Sequence, residues 1–203
     1  MAPMPSILEW TANGFYLVSV FLAARNSIHT WWLGIIGTIL FAILFFQVKL
    51  YADVTLMVFF IGTSIYGWLF WRQGQVAAPI RKTPLGQVGL FALLAVVTTL
   101  AYGSLLFFTT DAFAPFVDSG ILMFSILAQL LLMKRRLETW VFWLLVNTLA
   151  VPLYFYRELY LTSIVYLGFW FNAWYGLWSW HQQFKNQDRE LQNGDKGFVA
   201  DNE

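Results

Sequence analysis

Long apolar runs separated by short polar breaks set the layout of this chain. The runs are Ile7–Ala24, Ile28–Gln47, Tyr51–Trp71, Leu85–Thr109, Phe116–Met133, Trp140–Tyr156 and Tyr160–Trp180. Each is close to the roughly 20 residues a helix needs to cross the hydrocarbon of a bilayer. The pattern predicts an all-α membrane protein with seven transmembrane helices. The longest internal break is the polar stretch Arg72–Thr83, with Pro79 inside it and Pro84 at its end. From His181 the chain turns polar and charged, which predicts a cytoplasmic tail, partly disordered.

Composition points the same way. Hydrophobic residues make up 59% of the chain and charged residues 11%, against about 25% charged in an ordinary soluble domain. So few charges do not cover a water-facing surface. A net charge of +1 suggests no nucleic-acid partner, and the absence of Cys removes disulfide, zinc and thiol chemistry. Met1–Glu9 carries no Lys or Arg, so the first span reads as a retained helix rather than a signal peptide. Aromatic residues reach 20%. Some suit the headgroup belts, and such a load also suits a site for a flat aromatic ligand.

The basic residues set the orientation. Arg25, Arg72, Arg81, Lys82, Lys134, Arg135, Arg136, Lys185, Arg189 and Lys196 fall on one side, and Lys49 and Arg157 on the other. The positive-inside rule then places the N-terminus outside and the C-terminus in the cytoplasm.

The chain also resembles itself. Shifted by 109 positions, residues 6–73 lie on 115–182 without a gap. Thr30-Trp31 meets Thr139-Trp140, Leu50-Tyr51 meets Leu159-Tyr160, and Tyr66-Gly67 and Trp71 meet Tyr175-Gly176 and Trp180. Glu9 meets Asp118. This divides the chain into a three-helix repeat (1–73), a linker with the fourth helix (74–114), a second repeat (115–182) and a tail (183–203). One joining helix makes the copies parallel, a 3+1+3 plan like that of the SWEET sugar carriers, with a site expected near the midplane between the copies.

Leu44-Phe-Phe-Gln-Val-Lys-Leu-Tyr-Ala-Asp53, Tyr66-Gly67-Trp68 and Trp71, together with Trp140-Val-Phe-Trp143, Asn147 and Leu159-Tyr160, resemble the PnuC family of vitamin transporters. Asp111-Ala-Phe and Phe116-Val-Asp118-Ser119 fit as well. The resemblance covers residues 7–182. It implies a bacterial inner-membrane protein, often a homotrimer, that moves an unphosphorylated vitamin by facilitated diffusion while a cytoplasmic kinase traps the product. Nicotinamide riboside is the leading substrate it implies, and thiamine the alternative. There are departures. Members that take nicotinamide riboside tend to carry a Gln in the third helix where this chain has Met57, and a thioether does not hold ribose hydroxyls. Asn172 and Trp174 are not typical of the seventh helix.

Several residues have the chemistry for such a substrate. Trp140 and Trp143 share a helical face, and an indole face attracts a flat cation; anchoring at the interface is the other reading. Asn147 lies one turn deeper on that face, and an amide at that depth needs a partner, either substrate or a neighbouring helix. Asn172 is read the same way, and Tyr166 and Tyr175 offer hydroxyls or plain packing. Phe60 and Met57 of the third helix stand opposite. Trp143 and Asn147 occupy positions where the first copy has Gly34 and Thr38, an asymmetry that suits one ligand held off the axis. Gln47, Glu9 and Asp118 are candidate gate residues, or a helix-end cap and two headgroup-level carboxylates.

Rival classes find less support. The two His, His29 and His181, sit at the cytoplasmic rim, and no enzyme motif or phosphate loop is present. No ring of charges marks an ion channel. A SWEET-like sugar carrier would repeat a Pro, whereas Pro152 stands opposite Ile43. No cofactor or metal is expected, and the lack of deep acids argues against proton coupling.

Overall fold

A computed structural model describes residues 7–47, 51–73, 79–109, 114–156 and 160–200. It contains seven helices: α1 (Ile7–Ala24), α2 (His29–Gln47), α3 (Tyr51–Gln73), α4 (Leu85–Thr109), α5 (Pro115–Met133), α6 (Thr139–Tyr156) and α7 (Tyr160–Ala200). Among the described residues α4, α5 and α6 are long and apolar enough to cross a membrane, and Trp10–Ala24, His29–Leu44 and Leu56–Arg72 form shorter apolar stretches.

The helix limits follow local chemistry. α5 begins on Pro115, where a missing N–H costs nothing because the first helical N–H groups have no partner anyway. Its first turn holds Asp118, whose charge complements the positive end of the helix dipole. α7 departs from the expected stop at Trp180 and runs on to Ala200. The residues after Trp180 are polar but helix-favouring Gln, Lys, Arg and Glu, with no Gly or Pro before Gly194. Polarity marks where α7 leaves the apolar layer, and the helix itself continues.

The turn between α1 and α2 recurs between α5 and α6. Asn26 and Arg135, 109 positions apart, both sit in the left-handed region, at φ 55° and 50°. Ser27 N–H donates to Leu22 O and Arg136 N–H to Leu131 O, both at 3.0 Å, while Asn26 and Arg135 N–H reach Ala23 O and Leu132 O. These are the paired bonds of a Schellman helix end. Thr30 Oγ1 then donates to Ser19 O at 2.8 Å, and its counterpart Thr139 Oγ1 donates to Ala128 O at 2.7 Å.

The third helices repeat too. The Trp31 ring lies against Gly67 and the Trp140 ring against Gly176, so closely that a Cβ on either glycine would stand 2.6 Å from the indole. Trp31 meets Trp71 edge-on at 5.2 Å, and Trp140 meets Trp180 edge-on at 5.5 Å. Trp71 and Trp180 come together at 6.1 Å in the middle of the cluster. All four are buried. α1 packs on α7 and α3 on α5, so each three-helix segment contacts the other through matching seams.

A strap covers this cluster. Arg81 N–H donates to Arg135 O and Leu137 N–H to Arg81 O, both at 3.0 Å. Thr83 presents its N–H and hydroxyl to the Glu138 carboxylate, the hydroxyl at 2.8 Å. The α7 extension joins in, with Gln187 accepting from Ile80 N–H and Gln183 from the Asn26 amide.

Candidate substrate site

The α6 face carrying Trp140, Trp143 and Asn147 divides by depth of burial. Trp140 is 2% exposed and occupied by Gly176 and Trp180, so its ring is part of the core. Its indole N–H has no acceptor among the described residues, and neither has that of its counterpart Trp31. Trp143 is half-buried and touches two apolar clusters, one around Trp71 and Trp180 and one around Leu127, Ala128 and Phe142. Asn147, on the next turn, is 3% exposed. No hydrogen bond to its amide exists among the described residues, while its i+1 neighbour Thr148 bonds the Leu144 carbonyl and the Trp170 indole. A primary amide in such surroundings gains from a hydrogen-bonding partner.

The remaining candidates scatter. Phe60 and Met57 are half-buried on α3. Asn172 is committed to helix packing, its Nδ2 donating to Val20 O on α1 at 3.1 Å. Tyr166 is half-buried and packs on Tyr154 at 4.9 Å and Phe169 at 5.7 Å. Tyr175 is exposed beside Trp178. Gln47 is among the lining residues of an open, apolar groove of about 400 Å³, with Ile39, Ala42, Ile43 and Phe46 of α2 and Ile61 of α3. Asp118 is half-buried in the first turn of α5. Glu9 lies on α1, and its side chain falls outside the described residues. No group of three or more His, Cys, Asp and Glu able to hold a metal occurs among the described residues.

A family model described as nicotinamide mononucleotide transporter matches residues 6–182, all seven apolar runs. The chain belongs to the nicotinamide mononucleotide transporter, or PnuC, family. The family relatives include the nicotinamide riboside transporter PnuC of Escherichia coli (strain K12), 30% identical, with 81% of this chain and 80% of the relative covered. The riboflavin/roseoflavin transporter RibM of Streptomyces davaonensis is 25% identical over 92% of this chain and 90% of its own length. A crystal structure of the vitamin B3 transporter PnuC superposes with a TM-score of 0.68 at 25% identity, covering 88% of this chain and 82% of that one.

Three features of this family member escape a reading by composition. The Trp71–Trp180 contact joins positions that the sequence offered as matched letters of its two halves, and in the case of Trp71 as part of the family resemblance, but not as neighbours. Arg135 is 3% exposed, with its guanidinium 4.1 Å from the Trp71 ring, and burial lowers its pKa to about 10. It therefore stays charged at neutral pH. Tyr16, in a plain apolar run, meets Phe41 at 6.1 Å and Phe169 at 6.0 Å.

Proposed function

We propose that this chain carries an unphosphorylated vitamin, nicotinamide riboside, across the bacterial inner membrane by facilitated diffusion, with a cytoplasmic kinase trapping the product. The observation that carries the reading is Asn147. Asn147 is 3% exposed, no hydrogen bond to its amide exists among the described residues, and it lies one turn from the half-buried Trp143. A stacking surface beside one directional hydrogen-bonding group is what a flat, positively charged carboxamide ring requires. Relatives named for nicotinamide riboside support the choice.

The architecture that goes with it is seven spans, N-terminus outside, arranged as two parallel three-helix repeats joined by α4, in a homotrimer. The repeated turns at Asn26 and Arg135 and the repeated Trp–Gly contacts support the two-copy plan. Thiamine is the second reading, favoured by Met57, which offers no amide to ribose hydroxyls.

The test is calorimetric binding by purified protein, with nicotinamide riboside, thiamine and riboflavin side by side. Saturable riboside binding tighter than that of the other two is expected. Preference for thiamine or riboflavin sinks the riboside assignment, and binding of none sinks the vitamin reading. A reporter that fluoresces only in the cytoplasm, fused after Glu203, should be bright.

A further inference from the structure

The two seams between the three-helix segments are built on the same positions but not with the same side chains. On the first seam Tyr16 of α1 meets Phe41 of α2 and Phe169 of α7, three rings edge to edge. One turn further along α1, the Val20 carbonyl takes the Asn172 amide. Rings thus fill this seam, and one amide crosses it to a backbone carbonyl.

Shifting by 109 gives the second seam, between α5, α6 and α3. Ser125 stands for Tyr16, Ala150 for Phe41, Phe60 for Phe169 and Gln129 for Val20. Two rings are replaced by a hydroxymethyl and a methyl. The crossing amide is lost as well: Thr63 replaces Asn172, and its hydroxyl turns back onto Phe60 O of its own helix at 3.0 Å. Ser125 and Gln129, at i and i+4, share one α5 face and are half-buried. No hydrogen bond to either side chain exists among the described residues. Asn147 lies one turn from Ala150 on the neighbouring helix and is buried. Three polar side chains with no hydrogen bond among the described residues, Ser125, Gln129 and Asn147, thus stand on the helices of the seam that lacks the rings.

We propose that the substrate occupies, on the α3/α5/α6 seam, the place that Tyr16 and Phe41 fill on the other, and that Gln129 and Ser125 hold its sugar hydroxyls. The proposal rests on the vitamin reading above and deepens it. The ring of the ligand stacks at Trp143, the amide of Asn147 meets the ring substituent, and α5 supplies the groups that distinguish a riboside from a free base. It also accounts for Met57: the hydroxyl-binding groups of this chain lie on α5 rather than α3. In an apolar interior such groups have the most to gain from a hydroxylated ligand, since water does not compete for them.

Two sets of variants test it in the purified full chain, with nicotinamide riboside, its 2′-deoxy and 3′-deoxy analogues, thiamine and riboflavin as probes. Gln129→Leu and Ser125→Ala should each weaken riboside binding about tenfold, the loss of one hydrogen bond. The loss should shrink for the analogue lacking the matching hydroxyl. The double change Ser125→Tyr with Ala150→Phe places rings at both positions and should abolish binding; because Ala150 is 0% exposed, it should also lower the melting temperature. Wild-type affinity in both Gln129→Leu and the double variant overturns the seat and leaves the vitamin reading standing. Equal losses on all analogues overturn the hydroxyl assignment. Wild-type protein that binds none of the probes overturns the vitamin reading, and the seat with it. If the double variant fails to fold, Gln129→Leu and Ser125→Ala with the deoxy analogues decide alone.

Discussion

Trp71 and Trp180 each send an indole N–H to a backbone carbonyl of the opposite three-helix segment. Trp71 Nε1 donates to Met133 O at 2.9 Å, and Trp180 Nε1 to Ala23 O at 3.2 Å. The two rings lie 6.1 Å apart, so both bonds belong to one buried joint. A Trp serves here because it fills the volume and also satisfies a helix-end carbonyl that the apolar surroundings would otherwise strand.

Trp71→Phe and Trp180→Phe should each destabilise the protein by about 1 to 3 kcal/mol, from a lost hydrogen bond and a partial cavity. The double variant should lose less than the sum, because both residues share one joint. Thermal unfolding of purified protein measures this. Strict additivity would show that the two bonds act independently.

Trp140 and Trp143 should separate into different roles. Trp140→Ala removes a ring held by Gly176 and Trp180 and should cost about 3 to 5 kcal/mol of stability. Trp143→Ala, at a half-buried site, should cost less stability than Trp140→Ala and should weaken substrate binding by about 1 to 3 kcal/mol, the range for losing an aromatic stacking partner. Trp143→Phe should recover part of that. Normal affinity in a folded Trp143→Ala protein would make this Trp a packing residue and move the site elsewhere.

The helices were legible because each apolar run ends at a polar turn. α1 and α4 begin and end where the pattern places them, and α2, α5 and α6 differ by one residue at the start. The α7 extension was not legible, because loss of hydropathy marks the end of an apolar layer and carries no stop signal for a helix. At the site, spacing put Trp140, Trp143 and Asn147 on one face. It did not show that Gly176, 36 positions away, claims Trp140. Asn172 and Asn147 look alike as letters. Only the structure shows that one has found Val20 O, because a hydrogen bond between distant helices leaves no local pattern.

Glu138 should prove to be the anchor of the strap. Its carboxylate accepts from both the N–H and the hydroxyl of Thr83, and bonds to an ionised acceptor are the stronger kind. Glu138→Ala should speed tryptic cleavage after Arg81 and Lys82 several-fold, read by mass spectrometry, and Glu138→Gln should restore part of the protection. Unchanged cleavage would assign the strap's hold to its other bonds, those of Arg81 with Arg135 and Leu137, of Ile80 with Gln187 and of Lys82 O with Arg136.

Transport should run without an ion gradient. Coupling to protons needs a titratable group that meets the pathway inside the membrane. The candidate gate acids, Glu9 and Asp118, fall in the first turns of α1 and α5. The polar groups on the inner faces are amides and hydroxyls: Asn147, Gln129 and Ser125 do not exchange protons in the physiological range. A substrate that itself carries a positive charge still feels the membrane potential, worth about 2.3 kcal/mol per charge per 100 mV. The two influences are separable in vesicles holding purified protein. With the potential clamped by potassium and valinomycin, collapsing the proton gradient or replacing sodium should leave the initial rate of nicotinamide riboside uptake within about twofold, which is under ~0.5 kcal/mol. Counterflow, in which unlabelled substrate inside speeds entry of labelled substrate, should persist with no gradient of any ion. Uptake that fails when only the proton gradient is removed would mean that Asp118 or Glu9 takes up a proton with each vitamin, and facilitated diffusion would be the wrong mechanism.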